Sequence, residues 1–104
     1  MSRFIVKLRD HYMEWSTIAD APTTKLMPLD RFLKWYRCTY GESGMAELPE
    51  RMARVEATGT SVYRETAESV ITGNRAGPDE TELTMDEIYE QNIYVPRKAK
   101  ERDA

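Results

Sequence analysis

Two short apolar runs near the start of the chain have the pattern of β-strands. Residues 3–8 are rich in aromatic and β-branched side chains, and residues 11–19 place alternate side chains on opposite faces. Arg9 and Asp10 lie between the runs and suit a turn, so the pattern favours a β-hairpin over one long bent strand. Because a two-stranded ribbon alone is marginally stable in water, we expect it to pack on helices.

A first helix is predicted from about Pro28 to Gly41. Proline is favoured in the first turn of a helix, and glycine is favoured just after the last turn. Between them, apolar side chains recur at the i, i+3, i+4, i+7 spacing of a stripe that faces the core. The stripe consists of Leu29, Phe32, Leu33, Tyr36 and Tyr40.

Two further helices are predicted after Gly41. One has Pro49 in its first turn and ends at Gly59. The other covers residues 85–93, because Thr84 and Glu87 have the spacing of a capping box. The buried stripe of the earlier helix consists of Leu48, Met52 and Val55.

These elements predict a small α+β fold, in which an N-terminal β-hairpin or strand pair packs on about three helices. A chain of 104 residues is near the commonest domain size, so residues 1–96 are expected to form a single globular domain. Residues 97–104 follow Pro96 and are predicted to be a charged, flexible tail. Residues 60–73 are compatible with an extended segment followed by a short helix.

The charge of the chain is unevenly distributed. Its net charge is -3, yet residues 1–37 contain seven Lys or Arg and four Asp or Glu. Residues 79–96 contain six acidic residues and no basic one. Acidic side chains near a helix N-terminus are favoured by the helix dipole, so this cluster does not need a functional explanation. A nucleic-acid-binding protein is usually basic overall, so the charge argues against a nucleic-acid partner.

The chain lacks sequence signals for a membrane or for secretion. No apolar run approaches the ~20 residues of a membrane-spanning helix, and the N-terminus does not have the pattern of a signal peptide. A single cysteine gives no disulfide framework. We therefore expect a cytoplasmic protein without a membrane partner.

The residue types that catalysis and metal binding need are scarce in this sequence. The one histidine, His11, and the one cysteine, Cys38, have neither a catalytic nor a metal-ligand spacing around them. No catalytic residue, metal ligand or cofactor is therefore predicted. The composition favours binding over catalysis.

The leading candidate for a partner-binding surface is the outer side of the predicted first helix. Arg31, Lys34, Trp35 and Cys38 lie away from the apolar stripe, and tryptophan beside arginine is typical of interface hot spots. The alternative is that another element covers this side and that Trp35 belongs to the core.

Met13 and Trp15 extend this surface if their face of the hairpin is exposed. They would then form an apolar platform beside a strand edge that can accept a strand from a partner. The alternative is simple burial of this face against the helices.

A second group of side chains suits a small ligand such as a nucleotide. Aromatic rings stack on a base, and arginines bind phosphate. The sequence alone does not bring these residues together. They are Tyr63, Arg64, Arg75, Tyr89 and Tyr94.

The segment from His11 to Thr24, followed by a helix that ends at Tyr40 and Gly41, resembles small accessory proteins of tailed bacteriophages. The resemblance covers mainly residues 11–41 and implies no catalytic residue. It implies a non-catalytic protein-binding module that inhibits or redirects a host protein, or that binds another phage protein. Two alternatives are a nucleotide-sequestering protein and a virion or nucleic-acid-associated component. The exposed aromatic faces would also suit a homodimer.

Overall fold

A three-stranded antiparallel sheet at the N-terminal end of the chain carries helices on both faces. The computed structural model describes residues 3–94, so the predicted tail at residues 97–104 lies outside the described residues. The predicted α+β class is confirmed. The elements are β1 (Arg3–Leu8), β2 (His11–Ser16), β3 (Ala21–Pro22), α1 (Leu29–Thr58), α2 (Ala67–Ile71), a 3₁₀ turn (Pro78–Glu80) and α3 (Met85–Asn92).

The predicted hairpin is confirmed, with β1 and β2 joined by a two-residue turn. Arg9 and Asp10 have φ values of 52° and 63°. Two successive positive φ angles are what a type I′ turn needs, and its twist matches that of the flanking strands. The register pairs Val6 with Met13. The second strand ends at Ser16 and is therefore shorter than the predicted residues 11–19.

Both edges of this hairpin are occupied by other parts of the chain. On the β2 side, Pro22 pairs with Trp15. Proline is tolerated at this position because an edge strand does not need the N–H that proline lacks. On the β1 side, the Lys7 N–H donates to the Gly59 carbonyl at 2.7 Å, and the Ser61 N–H donates to the Ile5 carbonyl at 3.0 Å.

The two helices predicted between Pro28 and Gly59 form one element, α1, with a break at Gly41. Gly41 has φ 69° and ψ −164°, which glycine adopts without steric cost and which interrupts the helical hydrogen bonds. Gly59 ends α1 in the left-handed conformation, as expected. Pro49 lies inside α1 rather than in the first turn of a separate helix.

Both halves of α1 pack on the same face of the sheet. Ile5 and Tyr12 on this face contact a buried cluster that includes Phe32, Tyr36 and Val55. Most of the apolar stripe predicted for the first helix therefore faces the core. Leu29 is the exception, because 43% of it is exposed.

The opposite face of the sheet is covered by α2 and α3. Met13 and Trp15 are 0% and 1% exposed, and they pack in one cluster with Ile71 of α2 and Ile88 of α3. The expectation that Met13 and Trp15 belong to a partner-binding surface is wrong. Because α2 and α3 cover this face of the hairpin, Met13 and Trp15 are not accessible to a partner.

Side-chain caps fix the short helices on this face. Thr84 and Glu87 form the predicted capping box at the start of α3. Thr66 and Ser69 form a second capping box at the start of α2. Within residues 3–94, none of the helices combines the length and hydropathy that a membrane crossing requires.

Candidate ligand-binding cleft

An open cleft lies between the start of β1, the second half of α1 and the segment that follows α1. Its volume is about 670 Å³, which is within the range usual for small-ligand sites. We call it the arginine cleft. Its charged and aromatic lining consists of Arg3, Phe4, Glu47, Glu50, Arg51, Arg54 and Tyr63.

Arg51 connects three parts of the fold at the wall of this cleft. Its Nη1 donates to the hydroxyl of Tyr36 at 2.7 Å, and its Nη2 donates to the backbone carbonyl of Arg3 at 3.1 Å. Tyr36 belongs to the first half of α1, and Arg3 begins β1. The guanidinium of Arg51 is therefore held in one orientation.

Arg54 is held in a similar way, one helical turn further along α1. Its Nε donates to the Ser61 carbonyl at 2.8 Å, and its Nη1 donates to the Tyr63 hydroxyl at 3.2 Å. Its guanidinium also lies 4.2 Å from the centroid of the Tyr63 ring. Because Tyr63 is 70% exposed, this stacked pair forms the outer wall of the cleft.

The orientation of these two guanidinium groups matters for ligand binding. The bonds above use two of the five N–H donors that each group carries. A planar guanidinium fixed by its neighbours can bind phosphate or carboxylate oxygens in pairs with little loss of side-chain entropy. The arrangement of Arg51 and Arg54 is therefore suited to an anionic group.

A second pocket, of about 330 Å³, adjoins the arginine cleft and shares Arg3, Glu47 and Arg51 with it. We call it the Glu14 pocket. Its remaining lining residues are Glu14, Tyr36, Tyr40, Ser43 and Gly44. The residue that defines it is Glu14, which lies on β2 and is only 4% exposed.

The carboxylate of Glu14 is held by side chains from β1, from α1 and from the segment that follows β3. The Thr23 hydroxyl donates to Oε1 at 2.7 Å, and the Tyr40 hydroxyl donates to Oε2. The Nη1 of Arg3 lies 3.5 Å from Oε1 and supplies a positive charge from β1. Burial raises the pKa of Tyr40, and its hydrogen bond to Glu14 raises it further. Tyr40 therefore stays a hydrogen-bond donor to this carboxylate at neutral pH.

A separate polar cluster connects β1 and β2 to the end of α1. Glu56 accepts hydrogen bonds from the Lys7 Nζ at 2.8 Å and from the Tyr12 hydroxyl at 2.5 Å. The bond to Lys7, followed by the bond to Tyr12, lowers the pKa of Glu56. The bond to Glu56 raises the pKa of Lys7, and burial is the main cause of the raised pKa of Tyr12. These groups satisfy one another, so we assign the cluster a structural role.

The predicted partner-binding residues of α1 have different environments. Arg31, Lys34 and Cys38 are exposed. Trp35 is partly buried, and its ring centroid lies 5.6 Å from that of Phe32. Trp35 therefore packs against the core while its neighbours face solvent.

The five residues predicted for a small ligand have different neighbours in the structure. Tyr63 lines the arginine cleft. Arg75 forms an ion pair with Glu80, and Arg64 is exposed in a left-handed conformation with φ 62°. The other two rings stack elsewhere: Arg9 lies 4.6 Å from the Tyr89 centroid, and Arg31 lies 4.5 Å from the Tyr94 centroid.

Reasoning from the sequence does not group Arg3, Glu14, Arg51 and Arg54. Arg3 and Arg51 are 48 positions apart in the chain. A local signal was the i, i+3 spacing of Arg51 and Arg54, which places both on one side of a helix. Among residues 3–94, no three His, Cys, Asp or Glu side chains are grouped as metal ligands.

No protein-family model, curated protein or solved structure matches this chain. The resemblance of residues 11–41 to phage accessory proteins therefore stays a prediction. A proposal for the function has to rest on the geometry of the arginine cleft and the Glu14 pocket.

Proposed function

We propose that this protein is a non-catalytic binding protein that holds a small phosphate-bearing ligand in the arginine cleft. The observation that carries the proposal is the convergence of Arg3, Arg51 and Arg54 on one open cavity of ligand size. Arginine binds phosphate with paired, charge-assisted hydrogen bonds. This function corresponds to the nucleotide-sequestering alternative, but of the residues predicted for it only Tyr63 lines the arginine cleft.

The charges around the cleft favour an anion. Three arginines line it against two glutamates, Glu47 and Glu50. The Glu50 carboxylate lies 3.5 Å from Arg54, but 80% of its side chain is exposed. Exposed ion pairs of this kind contribute little free energy, so a phosphate group can displace Glu50 at small cost.

The lining also supports binding rather than chemistry. Ser61, whose hydroxyl would be the nucleophile of this cleft, accepts a hydrogen bond from the Ile5 N–H at 3.0 Å, and Ser61 is buried. Guanidinium groups carry hydrogen-bond donors and no acceptor, so they do not serve as bases. The exposed Tyr63 ring offers a face on which a planar group can stack.

We expect Arg51→Gln to weaken the binding of phosphate-bearing ligands about tenfold or more. The substitution removes the positive charge and the paired donors, and charge-assisted hydrogen bonds contribute roughly 1.5–3 kcal/mol each. Isothermal titration calorimetry with inorganic pyrophosphate and with nucleoside monophosphates measures the change. Binding should also weaken as the salt concentration rises.

Arg37→Gln is the matched control for this experiment. Arg37 is also on α1, but its side chain is 62% exposed and its ion-pair partner is Glu42, outside the cleft. It should bind the same ligands as the unmodified protein. Equal affinities for the unmodified protein and for Arg51→Gln, or no binding of any of these anions, would refute the proposal.

A second candidate function is a protein-binding module that inhibits or redirects a host protein, as the phage resemblance implies. The specific observation in its favour is the exposed basic group of Arg31 and Lys34 beside the partly buried Trp35 and the exposed Cys38. A partner with an acidic surface around an apolar centre would match it.

For this second function, we expect Lys34→Glu to reduce partner capture. Charge reversal at the rim of an interface slows association, commonly about tenfold or more at low salt. The measurement is a nuclease-treated pull-down from bacterial lysate, in which the variant should lose one stoichiometric protein. Arg75→Glu is the control, because Arg75 is exposed in a segment that packs on the other face of the sheet. Equal capture by both variants would exclude this surface.

A further inference from the structure

The Glu14 pocket gives the proposed ligand a more specific chemistry. Resting on the function proposed above, we propose that the ligand is a guanine nucleotide, with its phosphate in the arginine cleft and its base in the Glu14 pocket. The pocket and the cleft share Arg3, Glu47 and Arg51, so one molecule can span both. An anionic group at one end and a hydrogen-bond donor at the other then meet complementary side chains.

The carboxylate of Glu14 has room for two further hydrogen bonds once Arg3 leaves it. Two carboxylate oxygens together offer about four lone-pair positions. The hydroxyls of Thr23 and Tyr40 take one position on each oxygen. The third contact in the described part of the chain is Arg3, whose Nη1 lies 3.5 Å from Oε1. If Arg3 moves away, each oxygen has one position left for a ligand.

Arg3 is placed to move between the two cavities. It lines both of them, and its side chain is 55% exposed. An incoming phosphate group attracts Arg3 into the arginine cleft, beside Arg51 and Arg54. Glu14, which is 4% exposed, then needs new donors, because a buried carboxylate without partners is costly. The ligand has to supply those donors.

Guanine presents the pattern that Glu14 needs. Its ring N1–H and its amino group are adjacent donors on one edge, and they match the two oxygens of one carboxylate. Adenine has an acceptor nitrogen in place of the N1–H, and hypoxanthine has the N1–H without the amino group. Tyr36 and Tyr40, whose ring centroids are 4.7 Å apart, form an aromatic wall beside this carboxylate.

The experiment compares three nucleotides that differ only at this edge. Calorimetric titration of the unmodified protein should show guanosine 5′-monophosphate binding about tenfold or more tightly than inosine 5′-monophosphate, since one charge-assisted hydrogen bond is lost. Adenosine 5′-monophosphate should bind more weakly than either. The comparison needs no variant, so it does not depend on the folding of a mutant.

Glu14→Gln provides the test of the residue. A glutamine offers one acceptor oxygen, so the preference for guanosine over inosine monophosphate should fall to about twofold or less. Arg3 loses its ion-pair partner in this variant, so pyrophosphate should bind at least as tightly as it binds the unmodified protein. Glu42→Gln, an exposed carboxylate on α1 outside both cavities, should keep the preference. If all three nucleotides bind the unmodified protein equally, the guanine proposal is wrong and the anion-binding function stands. If neither pyrophosphate nor any nucleotide binds, both proposals fail.

Discussion

Trp15→Ala is expected to lower the free energy of unfolding by about 3–5 kcal/mol. Trp15 is 1% exposed and packs between β2 and the helices α2 and α3. Removing its indole ring leaves a cavity that neighbours such as Met13 and Ile88 fill only in part. Because small domains have total stabilities of about 5–15 kcal/mol, this is a large fraction. Urea denaturation followed by circular dichroism measures the change.

Ile18→Ala is the control for this experiment. Ile18 is also a large apolar residue close to the end of β2, but it is 82% exposed. Its truncation should change the free energy of unfolding by less than about 0.5 kcal/mol. If Trp15→Ala were as stable as Ile18→Ala, Trp15 would not be part of the core, and the original interpretation as a partner-binding residue would return.

We expect the second largest effect from Asn74→Leu, which should lower the free energy of unfolding by about 2–3 kcal/mol. Asn74 is 1% exposed. Its side-chain amide donates to the Leu83 carbonyl at 2.6 Å, and its oxygen accepts from the Leu83 N–H at 2.9 Å. The Asn74 side chain thereby connects the residues just after α2 to the backbone just before α3. Leucine has a similar volume, but it leaves both groups of Leu83 without these partners.

Asn92→Ala is the control, because it removes an amide side chain that does not connect two segments of the chain. Asn92 donates to the Ile88 carbonyl within α3 at 2.8 Å, and it is partly exposed. Its replacement by alanine should lower the free energy of unfolding by about 1 kcal/mol or less. Thermal unfolding of both variants at one pH gives the comparison. Equal losses for Asn74→Leu and Asn92→Ala would contradict a special role for the buried amide.

The local features of this fold were predictable from short stretches of sequence. The capping box of Thr84 and Glu87 depends on residues three positions apart. The left-handed end of α1 depends on Gly59 alone. The hairpin depends on two adjacent strand-like runs and the turn between them. In each case the residues that interact are close in the chain, so their pattern contains the information.

The break at Gly41 shows an intermediate case. The sequence predicted that a helix ends there, and the backbone of Gly41 is indeed not helical. It did not predict that helical structure resumes at once as part of the same element. A Cβ atom at Gly44 would lie 2.3 Å from the Cβ of Tyr40, so the two halves approach closely at this point. That approach depends on how both halves pack on the sheet.

The sequence by itself determined the α+β class, the hairpin and most helix ends, because these depend on neighbours along the chain. Only the tertiary structure decided which faces are buried. Alternation predicts that Val6 and Met13 share a face, but not that α2 and α3 cover it. The arginine cleft was equally hidden, since Arg3 and Arg51 meet across 48 positions. Contacts between distant residues follow from the packing of whole elements, which no local pattern records.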